Sequence, residues 1–128
     1  MELMTEQEIH EFGLQVLTEY LLKNKYDIEL VQPQKDALPS IVAKLNDKLV
    51  LIAAATGVYP HKGVVTDTDK TLLIEHADKM GAQAACAYLG LLNAAGVAAK
   101  DKFLCGQALK GAQFYADFGG LEFIHFED

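Results

Sequence analysis

At 128 residues, with 51% hydrophobic and 23% charged side chains, the chain suits one compact soluble domain over residues 1–128 and excludes disorder as the expectation. A formal net charge of −7 opposes sequence-independent attachment to a phosphate backbone, where lysine and arginine must replace counterions, so nucleic acid is not an expected partner. The acidic start MELMTEQEIHEF lacks the basic-then-apolar order of a secretory signal, which predicts a cytoplasmic location.

In chain order, Thr5 and Glu8 have the spacing of a capping box. Ile9, Phe12, Gly13, Val16, Leu17, Tyr20 and Leu21 then recur at three- and four-residue intervals, predicting a helix of about five turns. Lys23, Asn24 and Lys25 suit its C-terminal end, with Asn24 as the residue suited to a left-handed turn. Tyr26 to Gln32 alternates as a strand with one wet face, and Pro33 and Pro39 bracket a polar connection.

The stretch from Pro39 to Val58 predicts an antiparallel hairpin of Ile41–Leu45 and Leu49–Ala55, turning at Asn46 and Asp47. Its second arm has no polar face, as in a central strand covered on both sides. A loop from Thr56 to Asp69 follows, with Asp67, Thr68 or Asp69 as caps of a second helix. Leu72, Leu73, His76, Ala77 and Met80 are that helix's expected inner stripe, and Gly81 its end. Ala82 to Leu92 fits a buried strand or a helix equally. The wider apolar run Ala82–Ala99 is broken by Gln83, Asn93 and glycines, which argues against a membrane span. Phe114 to Phe126, with Gly119-Gly120 between aromatic runs, predicts strand, turn and short strand.

The hairpin carries a resemblance. Pro39-Ser40-Ile41-Val42-Ala43 and Leu51-Ile52-Ala53-Ala54-Ala55-Thr56 are similar in frame to the second and third strands of the PD-(D/E)XK, or restriction-endonuclease-like, nuclease superfamily. There a Pro-Asp opens one strand and Glu-x-Lys closes the next. The resemblance implies an α/β fold with a mixed sheet and an αβββαββ core. It also implies that Ser40, Ala53 and Ala55 stand where the family has Asp, Glu and Lys. Such chemistry needs carboxylates to hold a hard divalent ion that activates water, with a lysine beside the developing charge. A hydroxyl and two methyls supply none of this, so the expectation is a catalytically inactive domain with no metal site and a structural, binding or regulatory role.

Other chemistry-bearing residues fall on the same frame. The family's first helix often turns a glutamate toward the metal, and Glu8, Glu11 or Glu19 fills that place by order, against the alternative of a solvated helix face. Asp36 and Asp47 are not expected at the site. A metal-dependent nuclease or other hydrolase with relocated residues would use Glu75, His76 or His61, although His76 falls on the expected apolar stripe. Tyr59, His61 and Lys62, following the strand end, are the candidate ligand-binding residues. Cys86 and Cys105 lack metal or redox spacing and read as buried hydrophobes. No P-loop, nucleophile elbow or HExxH is present, so no cofactor is expected. A homodimer through an apolar edge or sheet surface is the expected partner, with Phe114 to Phe126 as one candidate interface against the alternative that most of these aromatics pack in the core.

Overall fold

The computed structural model describes residues 2–126. Helix α1 (Glu6–Lys23) starts at Thr5, whose hydroxyl accepts the Glu8 N–H at 3.1 Å while the Glu8 carboxylate accepts the Thr5 N–H at 2.9 Å. Four orphan amides open any helix, and this reciprocal pair settles two donors at once. The helix ends at Asn24, but the left-handed residue is Lys25, with φ 71°.

Strands β1 (Asp27–Val31), β2 (Ile41–Leu45) and β3 (Lys48–Val58) pair antiparallel in sequence, with Leu45 opposite Lys48 across the turn. Asn46 and Asp47 both take positive φ, 51° and 66°, as a two-residue hairpin turn compatible with strand twist requires. Helix α2 (Asp67–Met80) is capped by Thr66, one residue before the expected caps, and Gly81 ends it with φ 64°. Strand β4 (Gln83–Asn93) then lies parallel to β3, Val50 opposite Gln83 through Val58 opposite Leu91.

The Ala82–Leu92 ambiguity is thus resolved as strand. Ala85, Ala87 and Leu89 face α1 while Ala84 and Cys86 face α2, so both sides are apolar and neither period is written in the sequence. Two short helices, α3 (Ala94–Ala99) and α4 (Lys102–Cys105), are further elements, the first capped by buried Asn93. β5 (Phe114–Phe118) and β6 (Glu122–Ile124) both pair antiparallel with β4, on Leu89–Asn93 and Ala84–Cys86 respectively. Gly119-Gly120 therefore does not reverse the chain. Four steps from Phe118 to Glu122 span three on β4, from Leu89 to Cys86, which makes the break a one-residue bulge in a single edge strand.

The result is a six-stranded mixed sheet with α1 on one face and α2 on the other, as the expected α/β class requires. Leu14, Leu17 and Leu21 of α1 meet Ile41, Val50 and Ile52. On the opposite face Leu73, Ile74 and Ala77 of α2 meet Val42, Leu51 and Ala53. The inner stripe of α2 is thus rotated from the expected one, leaving His76 exposed and Leu72 and Met80 half in water. Cys86 and Cys105 are buried and unbridged.

Two close approaches fix the sheet against its covers. A Cβ on Gly13 of α1 would lie 1.8 Å from Thr56 Oγ1 and 2.8 Å from Thr56 Cβ. β3 also runs beyond the expected Ala55 end to Val58, because its parallel ladder with β4 continues to Val58 opposite Leu91, and the loop after it folds back over this pair. Gly63 sits where a Cβ would be 2.1 Å from the Ala55 carbonyl carbon, and its N–H donates to Leu89 O at 3.0 Å. Gly13→Ala should destabilise the fold by about 1–3 kcal/mol through overpacking, against the roughly 1 kcal/mol that alanine gains in a helix. Urea denaturation of Gly13→Ala with and without Thr56→Ala should show partial recovery in the double variant, because the hydroxyl and methyl contacts are then gone.

Candidate functional site

The sheet leaves an opening where β2 stops short of β3. Ile41, the first residue of β2, pairs with Ile52, so Ala53–Val58 has β4 on one edge and, among the described residues, no strand on the other. Ser40 closes the ladder: its N–H donates to Ile52 O at 2.8 Å and its Oγ accepts the Ala54 N–H at 3.0 Å. A buried strand amide without a partner costs about 1–3 kcal/mol, so the hydroxyl has a structural task.

Beyond Ser40 lies a cleft of about 410 Å³. Ser40 and Ala53–Thr56 line it from the sheet, Lys35–Leu38 from the β1–β2 connection, Gly63–Val65 from the segment entering α2, Asp69 from the first turn of α2, and Glu6 and His10 from α1. The three positions Ser40, Ala53 and Ala55 are therefore brought together on one cleft. Asp36 lines it as well, which corrects its expected exclusion, because the connection folds back toward α1. Gln7 holds that fold: its Nε2 donates to Pro33 O at 2.7 Å and its Oε1 accepts the Lys35 N–H at 2.9 Å.

The helix glutamate at the cleft is Glu6. Glu8 is committed to the cap, and Glu11 and Glu19 are exposed elsewhere on α1. Tyr59, His61 and Lys62 do not line the cleft. The Tyr59 N–H donates to Leu91 O at 2.8 Å, His61 is exposed, and Lys62 Nζ lies 3.5 Å from Asp117 Oδ1 on β5. Glu75 and His76 are exposed on α2, away from the cleft, and Asp47 is in the distant hairpin turn. Among the described residues no group of three His, Cys, Asp or Glu side chains is placed to hold a metal ion.

His10 is the residue that sequence reasoning passed over. It is 4% exposed, and its Nε2 has no hydrogen-bond partner among the described residues; Thr56 Oγ1 is likewise buried and unpaired among them. The signal was present, since His10 precedes Leu14, Leu17 and Leu21 at helical spacing and so shares their inward face. Burial pushes the His10 imidazole below its ordinary 6.5; the Lys35 charge adds to this, while Glu11 and Asp36 oppose it. Lys35 and Glu6 form an ion pair at the cleft mouth, holding the carboxyl low and the ammonium high. Farther along the sheet, burial raises the Cys86 thiol and Tyr88 hydroxyl, and Lys70, raised chiefly by its contact with Tyr88, sits 5.9 Å from that ring. A thiol held protonated in this way is no nucleophile at neutral pH.

Residues 7–124 match the family described as Domain of unknown function (DUF8840). The chain belongs to that family. The DUF8840 match takes in every cleft-lining residue except Glu6. No curated protein and no solved structure matches the chain. No helix of this DUF8840 member, among the described residues, is long and apolar enough to cross a membrane.

The pH dependence of stability follows from the buried histidine. With a folded-state pKa below the unfolded value, the unfolded chain takes up the proton first as pH falls. The contribution is complete above about pH 7 and is lost as pH drops through 6.5 toward the lowered folded value. Urea midpoints should fall over that window, above the range where the carboxyls titrate, and His10→Gln should flatten this part of the profile. An unchanged slope in the variant would show that another group controls it.

Proposed function

We propose that this DUF8840 domain is a catalytically inactive restriction-endonuclease-like domain whose role is binding, structural or regulatory. The observation that carries the reading is the meeting of Ser40, Ala53 and Ala55 on one open cleft beside the unpaired edge of β3. The element order supports it: helix, three antiparallel strands, helix, then β4 parallel to β3. Hydrolysis of a phosphodiester on this frame requires carboxylates at the first two of those positions, to hold a divalent ion and through it the attacking water. Ser40 instead completes the backbone ladder, and the two alanines offer only methyl groups. The carboxylates that remain, Glu6, Asp36 and Asp69, come from other elements, and Glu6 is already paired with Lys35.

The purified protein should leave double- and single-stranded DNA and RNA intact in magnesium or manganese, and calorimetric titration with either ion should show no micromolar site. Cleavage lost in Ser40→Ala or His10→Gln would overturn the reading. Cleavage lost in Glu75→Gln, His76→Gln or His61→Gln would instead favour a hydrolase with relocated residues.

The acidic charge weighs against a retained nucleic-acid partner. A second copy of the chain is the partner this reading favours. Tyr115, Phe123 and Phe126 are 57%, 47% and 48% exposed along or just beyond the outer strand formed by β5 and β6, whose far side is unpaired among the described residues. Exposed aromatic side chains beside an open strand edge suit self-association. Light scattering after size exclusion should give twice the 14.0 kDa chain mass at micromolar concentration. A strict monomer across that range would remove the dimer without touching the cleft.

A further inference from the structure

β3 offers backbone bonding to a strand that this chain does not supply. Main-chain groups along a strand point alternately to its two edges. The Tyr59 N–H donates to Leu91 O of β4 at 2.8 Å, which places the odd-numbered residues of β3 on the β4 edge. Ile52 O and the Ala54 N–H bond to Ser40, which places the even-numbered ones on the other. The Ala54 carbonyl and the Thr56 N–H and carbonyl therefore follow along that second edge, in the stretch that lines the cleft. No hydrogen bond from another segment reaches them among the described residues.

The chain's own continuation cannot serve these groups. Extending the register past Ile41 opposite Ile52 puts Pro39 opposite Ala54, and proline has no N–H to donate. The Pro39 carbonyl instead accepts from Gln32 Nε2 at 2.7 Å, on the β1 side. The opening that remains is about 410 Å³, room for a few extended residues and not for the edge of a second folded sheet. Ala53, Ala55, Leu38 and Val65 in its walls suit small apolar side chains. Its border carries three carboxylates, Glu6, Asp36 and Asp69, against the single ammonium of Lys35. An acidic excess at the opening favours basic residues in what enters.

We propose that the cleft takes an extended peptide segment with basic flanks, which adds to the free edge of β3 in line with β2. A residue opposite Thr56 gives its N–H to the Thr56 carbonyl and accepts the Thr56 N–H, and a further N–H of the peptide reaches the Ala54 carbonyl. Main-chain bonds of this kind supply affinity, while the side-chain surroundings set the preference for particular residues. The proposal rests on reading the cleft as a binding site. Metal-dependent cleavage would overturn that reading, whereas failure of the peptide to bind, without cleavage, removes the strand addition alone.

The test is NMR on the full chain, following amide shifts and hydrogen exchange. The probe is an acetylated and amidated pentapeptide whose residues are lysine, valine, threonine, valine and lysine in that order. It should saturate, and exchange of the Thr56 N–H should slow at least tenfold. Peptides N-methylated at the threonine or at the valines should lose affinity in alternation, tenfold or more where the N–H faces β3 and little at its neighbours. Glutamate in place of both lysines should abolish binding. No saturation at millimolar peptide, no change at the Thr56 N–H, or equal loss at neighbouring methylation sites would each overturn the proposal, the last by exposing mere association of cations with an acidic chain. Protection of the Thr56 N–H that grows with protein concentration in the absence of peptide would also overturn it, by showing that a second copy fills the edge.

Discussion

The unequal length of two neighbouring strands governs this molecule. β3 has eleven residues and β2 has five, so half of β3 has a ladder on one edge only. Everything at the candidate site answers to that mismatch. Ser40 meets the first amide beyond the ladder, the connection from Pro33 to Pro39 curls beside the vacant edge, and the loop after β3 returns across the backbone at Gly63. A strand edge left to water exposes donors and acceptors to any other chain; here the surrounding segments screen it while leaving a hollow.

The central pair that permits this is almost wholly apolar. β3 and β4 lie side by side in parallel, with α1 and α2 on opposite faces, and burial on both sides supplies the main cohesion of the fold. Small side chains at the core of the pair let the covers come close: Ala53, Ala85 and Ala87 leave the larger residues of the helices to fill the space. Ala53 therefore has a packing role of its own within the core, whereas Ala55 is only partly buried and borders the cleft.

Much of this was legible in the residues. The Thr5–Glu8 cap, the Asn46-Asp47 turn and the Gly81 stop are local interactions whose partners are a few residues apart, and each occurs as its spacing implies. What the sequence concealed depends on neighbours far along the chain. β4 has apolar residues on both faces and so no periodicity, and the Gly119-Gly120 break reads as a reversal until β4 is seen pairing on both sides of it. The rotation of α2 escaped for the same reason, since the choice among Leu72, Leu73 and Ile74 is made by the sheet beneath. At the site, the positions of Ser40, Ala53 and Ala55 followed from the hairpin register, whereas His10, Glu6 and Asp36 required the fold of a connection that has no regular structure.

Gln7 gives that arrangement a mechanical character. One side-chain amide holds the backbone at both Pro33 and Lys35, linking the first turn of α1 to the segment carrying Asp36. The helix and the far bank of the cleft are consequently tied to each other as well as to the sheet. Fraying of the first helical turn would break both Gln7 bonds at once and loosen the segment carrying Asp36. Order at the start of α1 and the placement of the Asp36 segment are thereby linked through one side chain.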